Sequence, residues 1–271
     1  MELWMILVAL MQGLFEWLPI SSEGQIIFFI SNFTPLTTNE IASLALPLVV
    51  WLHLGTTLAV IARYPRTILD IVSLKDKRLF RLLLIATVAT AITGIPLYMF
   101  LRGSMADFQG ETLNIFVGFL LLVTAIVLYL PTRQKDEEKA IKIEEPTDRA
   151  ALLTGLVQGS SVLPGLSRSG VTVSALLMQK IDKETALRFS FLMSVPAVLG
   201  ILALEFLTGS VIPAGVGVSD LVIAEAITFA IGLASMEFLL RLARKINFWA
   251  LCFILGLIAI VFGIPALFAV G

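Results

Sequence analysis

QGLFEWLPISSEG at residues 12–24 and QGSSVLPGLSRSG at residues 158–170 share one skeleton, Q-G…L-P…S…G, over equal lengths. Each drops proline, glycine and hydroxyl side chains into a chain that is otherwise mostly hydrocarbon. An apolar helix broken in this way leaves backbone N–H and C=O groups unpaired. Lipid does not tolerate that unless the groups face protein or a wet cavity. Two such breaks, in corresponding halves of one chain, predict a buried polar site where two repeats meet.

The surrounding composition fixes the class. The 271 residues are 58% hydrophobic and only 14% charged, with a mean hydropathy of +0.97. A soluble domain carries about a quarter charged residues, so the expected fold is an all-α integral membrane protein. The net charge of −1 excludes little, because in a membrane the position of each charge matters more than the sum. A lone Cys252 excludes an internal disulfide and a cysteine metal cluster. The first residues lack a basic leader and a small-residue cleavage site, so they read as retained structure.

Long apolar runs at 41–63, 80–101, 112–130, 185–208, 219–240 and 248–270 each match the length of a bilayer-crossing helix. The stretches 1–40 and 150–183 are interrupted by the motifs, and read as re-entrant helix–loop–helix hairpins. The chain then divides into a first repeat, 1–130, a polar linker, 131–149, and a second repeat, 150–271. Each repeat is one hairpin plus three spans.

Basic residues test this arrangement. They cluster at Arg63 to Arg81, Arg133 to Arg149, Lys180 to Arg188 and Arg241 to Lys245, and only Arg102 and Arg168 of the 19 fall elsewhere. With both hairpins re-entrant, all four clusters share one face, which the positive-inside rule makes cytoplasmic. The two repeats are then inverted with respect to each other, and both termini lie outside. The linker RQKDEEKAIKIEEPTD has little apolar surface to bury and reads as solvated. The clusters read as topology signals that touch anionic headgroups, and no nucleic-acid partner is expected. A homodimer is compatible with this reading.

Few polar residues lie at membrane depth, and those that do suggest a site. Gln12 and Glu16 are i and i+4, on one helical face before the break at Pro19. Arg168 sits among glycines and serines at an expected helix start, where backbone N–H groups favour anions and a guanidinium grips phosphate with two parallel bonds. Pairing with Glu16 or Glu23 is its alternative role, and the two can coexist. Ser167 and Ser169 add donors. Glu16 suits a base or a ligand of a divalent cation, magnesium or calcium, with Gln12 as the neutral oxygen beside it. Ser21 and Ser22 suit helix capping, or an attack on phosphorus by one of them. His53, the single histidine, reads as a helix-contact group, and Glu205, Glu225 and Glu237 stay unassigned.

These segments, with HLGTTLAV and FSFLMSVPAVLG, resemble the undecaprenyl-diphosphatase family, the bacitracin-resistance type of membrane phosphatase. The likeness runs over essentially the whole chain. It implies a multi-pass enzyme of the cell membrane that removes the terminal phosphate from a polyprenyl diphosphate, recycling the lipid carrier, with its site open to the extracytoplasmic side. It also implies the inverted repeat. On the matching positions, Gln12 and Glu16 carry the E/Q-x-x-x-E motif, Ser22 the nucleophile or phosphate contact, and Ser167, Arg168 and Ser169 the phosphate grip, with Ser21 and Gly170 beside them. The family's usual histidine is replaced by Gln25, here counted among the substrate contacts, and Glu23 stands where the family has Thr or Ser. Glu23 is expected to take over acid–base work or to bind metal. The competing expectation is a polyprenyl-phosphate transporter or flippase, which binds without hydrolysis.

Overall fold

The computed structural model describes residues 1–104, 111–136, 145–207, 213, 215–243 and 246–268. Arg244, Lys245, residues 137–144 of the linker and the last residues of the spans expected at 185–208 and 248–270 lie outside these. The chain is an all-α integral membrane protein. Two short helices, α1 (Leu3–Phe15) and α2 (Ser22–Phe33), precede a single turn, α3 (Thr38–Glu40), and a π-helical turn, Ile41–Ala45. Then come α4 (Leu46–Arg63), α5 (Pro65–Val72), α6 (Lys77–Ser104) and α7 (Glu111–Tyr129). A second short pair, α8 (Asp148–Gln158) and α9 (Arg168–Met178), is followed by α10 (Lys183–Leu207), α11 (Val218–Ala243) and α12 (Phe248–Phe268).

Among the described residues, 6 helices are long and apolar enough to cross a membrane, and they fall where the apolar runs predict. The paired helices differ in kind. With 13 and 12 residues in α1 and α2, and 11 in each of α8 and α9, each covers about 16–20 Å, short of the ~30 Å hydrocarbon core. Helix α5 is the element that hydropathy did not predict. It starts on Pro65, which lacks an N–H that the first turn would leave unpaired anyway, and it buries Ile71.

Packing interleaves the two halves. One core joins Trp4 and Val8 of α1, Ile26 and Ile30 of α2, Leu48 and Leu52 of α4, and Ala224 of α11. A second joins Ala151 of α8, Leu176 of α9, Phe189 and Leu192 of α10, and Leu82 and Ala86 of α6. Exchanging the halves maps one core onto the other: a short pair, the first span of its own half, and the second span of the opposite half. The third spans, α7 and α12, cross at Gly118 and Gly256. There a Cβ on either glycine would come within 2.7 or 2.8 Å of the other's carbonyl oxygen, so the backbones touch, as small residues allow in membranes.

The basic clusters meet at one end. Arg63 pairs with Glu237, which also holds Arg241. Arg188 donates to Thr67, Arg81 pairs with Asp148 and Arg78 with Glu145. Exposed pairs like these contribute little energy individually. Their value is positional, because they bring residues of all four clusters together.

Candidate active site

The two interrupted segments meet in the middle of the bundle. Ser21 is held with φ of 60°, a left-handed conformation costly for serine. Its hydroxyl oxygen accepts from the N–H of Gly24, capping α2, and from the N–H of Gly165 in the other loop, at 3.2 and 3.1 Å. Ser167 caps α9 in the same way, accepting from the Gly170 N–H at 3.1 Å. Helix α7 fixes that second loop: Thr124 donates to the Gly165 carbonyl and accepts from the Ser167 N–H. The starts of α2 and α9 are therefore brought to one place, and their N–H groups favour an anion there.

Glu16, just past the end of α1, is the hub. One carboxylate oxygen, Oε1, takes the Arg168 guanidinium. The other, Oε2, accepts from the Ser22 hydroxyl at 2.8 Å and from the Gln12 amide at 2.9 Å. His53 of α4 brings Nε2 to 3.7 Å from the same oxygen. Glu16 and Gln12 are buried, 6% and 0% exposed, so every charge here acts with little screening by water.

A polar pocket of about 30 Å³ is bordered by Glu16, Ser22, Glu23, His53, Arg168 and Ser169. Beside it runs a larger, mainly apolar cavity of about 260 Å³ between α4, α6 and α10. Glu23, His53, Ser161 and Arg168 border both. The larger cavity is lined by the stretch of α6 from Thr87 to Tyr98 and that of α10 from Pro196 to Leu204. Those are the halves of both helices remote from the basic end.

Most of the residues singled out from the sequence come together here, in distinct positions. Ser21 caps, which leaves Ser22 free to turn to Glu16. Ser167 and Ser169 border the pocket; the Ser169 hydroxyl lies 3.3 Å from that of Ser167 and 3.4 Å from the Leu18 carbonyl. Gln12 stands behind Glu16 rather than on the pocket wall. Gly170 is engaged in the cap. Gln25, expected among the substrate contacts, borders neither cavity. Its amide donates to the Ile20 carbonyl at 3.2 Å, because the loop leaves that oxygen without a helical partner.

Two further groups, His53 and Tyr98, enter from outside the motifs, and Ser161 of the second motif joins them. His53 was read as a helix contact, and it does bond its own helix through Nδ1 and Val49; its other nitrogen faces Glu16. Ser161 and Tyr98 border the larger cavity. For His53 and Tyr98 the signal available is a polar side chain among apolar ones on a span, and it is weak. Of the unassigned carboxylates, Glu205 accepts from Tyr98, Glu237 joins the basic end, and Glu225 lies against Gly55.

Residues 5–261 match the family described as bacitracin resistance protein BacA. A protein of Methanothrix thermoacetophila named undecaprenyl-diphosphatase is 36% identical over 255 residues, covering 94% of each chain. Namesakes from Methanopyrus kandleri and Haloarcula marismortui are also 36% identical, covering 98% and 96% of this chain and 97% and 96% of their own. With the match running from α1 into α12, through both loops that meet at Glu16, the chain belongs to the bacitracin resistance protein BacA family.

Proposed function

We propose that the chain is a membrane hydrolase that converts undecaprenyl diphosphate to the monophosphate and inorganic phosphate. The observation that carries this is the meeting of Arg168, Glu16 and Ser22 in a pocket that adjoins an apolar cavity. A lipid diphosphate needs both: charge neutralisation for its head and dry walls for its tail. The names of the relatives favour hydrolysis over carriage.

Phosphoryl transfer asks a protein for positioning and electrostatic stabilisation. Arg168 and the N–H groups at the starts of α2 and α9 hold the diphosphate. The Ser22 oxygen attacks the terminal phosphorus as its proton passes to Glu16 Oε2, to which it already donates. The bond from that phosphorus to the bridging oxygen breaks, and the lipid monophosphate leaves. Water then attacks the phosphoserine, with Glu16 returning the proton to the Ser22 oxygen as inorganic phosphate departs.

The residues also suit a divalent cation. Gln12 Oε1 is buried with no hydrogen-bond partner, a neutral oxygen of the kind magnesium and calcium accept. Among the described residues, no three His, Cys, Asp or Glu side chains form a cage, so Glu16 and Gln12 would hold the ion with substrate phosphate completing its shell. When bound, the ion neutralises phosphate charge.

The inverted repeat remains our reading of the exchanged cores, and the extracytoplasmic opening is our reading of a cavity remote from the basic end. Purified protein in detergent, given undecaprenyl diphosphate, is expected to release phosphate catalytically. Lipid binding without release would overturn the hydrolase reading.

A further inference from the structure

His53 belongs to neither motif, yet its ring reaches the carboxylate that both motifs serve. Nδ1 lies 2.8 Å from the Val49 carbonyl oxygen. A carbonyl only accepts, so Nδ1 carries a proton and, in the neutral ring, Nε2 keeps its lone pair. That lone pair is 3.7 Å from Glu16 Oε2, an atom equally rich in electrons. Beside them is the Gln12 amide, whose oxygen is buried and without a hydrogen-bond partner. Half a turn of that amide exchanges its oxygen and nitrogen, and brings the oxygen to the place 2.9 Å from Glu16 Oε2 now held by Nε2. The imidazole nitrogen and the turned amide oxygen then both approach the same carboxylate oxygen, at 3.7 and 2.9 Å, and electron pairs gathered around one atom call for a cation.

We propose that His53 Nε2 is a ligand of the divalent cation at this site and biases the site toward first-row transition ions. An imidazole anchored through its other nitrogen to a backbone carbonyl is how proteins orient a metal-binding histidine. Magnesium and calcium prefer oxygen donors, whereas an imidazole shifts preference toward transition ions. Arg168, on the far oxygen of Glu16, and Glu23, on the pocket wall, are the other charged groups that border the cleft with His53. The ligand thus adds nitrogen to the site without adding charge.

The assignment rests on the reading of this pocket as a diphosphate site with a bound cation. Its test uses manganese alone, without lipid. Because the chain has 1 histidine, pulsed EPR of Mn²⁺ bound to tag-free protein in detergent reports His53 unambiguously. A directly coordinated ¹⁴N coupling is expected, and it vanishes in His53→Gln. Affinity for Mn²⁺ falls about tenfold or more in that variant, and affinity for Mg²⁺ by less than about threefold. Bound manganese without nitrogen coupling in the wild type overturns the proposal, as does no specific manganese binding. If the variant does not fold, the wild-type spectrum decides alone. Phosphate release by the same wild-type preparation is scored separately, so a failed ligand assignment and a failed hydrolase reading are told apart.

Discussion

Ser22 and Arg168 hold equivalent places in the two interrupted segments, each directly after the serine that caps the following helix, and both donate to Glu16. One half of the chain thus contributes a hydroxyl and the other a guanidinium to a single carboxylate. The caps explain the spacing S-x-x-G in both copies. In each, the glycine N–H is the donor to the serine, and a Cβ on Gly24 would come within 3.0 Å of the Gly165 Cα in the facing loop.

Arg168→Ala is expected to cut phosphate release by about a hundredfold or more, the scale of losing one donor to developing charge. Arg168→Lys does not restore it, since an ammonium lacks the flat, two-pronged geometry. Removing Arg168 also leaves Glu16 buried without its partner, at a cost of about 3–5 kcal/mol. The double change Glu16→Leu with Arg168→Met therefore recovers thermal stability in detergent but no turnover. Recovery of both would contradict the assignment.

The adjacent serines separate folding from chemistry. Ser21→Ala removes a cap and an acceptor shared by two N–H groups, so its Tm falls by an amount corresponding to about 1–2 kcal/mol. Ser22→Ala keeps the Tm near that of the wild type while phosphate release drops by about ten-thousandfold or more, the scale of losing a nucleophile. Paired melting curves and phosphate assays read this directly. The reverse pattern would exchange the two roles.

The apolar cavity is expected to house the isoprenoid next to the diphosphate. Ala197→Phe, on its wall, raises KM for a long polyprenyl diphosphate and leaves kcat within about threefold, because it removes binding that ground and transition states share. A short, water-soluble prenyl diphosphate is less affected. Equal KM shifts for both chain lengths would place the tail elsewhere.

The crossing of α7 and α12 is expected to tolerate no side chain. Gly118→Leu forces apart two backbones already in contact, costing about 1–3 kcal/mol or more, and lowers both Tm and yield in the membrane. Gly200→Ala is its control. A Cβ there meets nothing within 4 Å, and alanine favours a helix over glycine by about 1 kcal/mol.

Much of the fold was legible because lipid imposes a coarse grammar. The spans announce themselves by length, and the basic residues by side. The motifs were legible because Gln12, Glu16, Ser22 and Arg168 are conspicuous in hydrocarbon. His53 was not, since no spacing in the chain encodes the packing of α4 against the first pair of helices that carries its ring to Glu16. Gln25 shows the opposite limit: its place in the motif suggests a substrate contact, while the bond its amide makes to the Ile20 carbonyl follows from the loop's path and not from the motif. Helix α5 escaped because eight residues in a basic loop carry too little periodicity.

The exchanged cores bear on how the protein is made. The hydrophobic contacts around α1 and α2 include α11, and those around α8 include α6. While the ribosome is still producing the second half, the leading pair of helices has no permanent neighbour on one flank. It must be sheltered by lipid or by the insertion machinery until nearly the whole polypeptide has emerged. The first core is therefore complete only once α11 has been made, and the reactive carboxylate waits for the second half of the chain to supply its guanidinium.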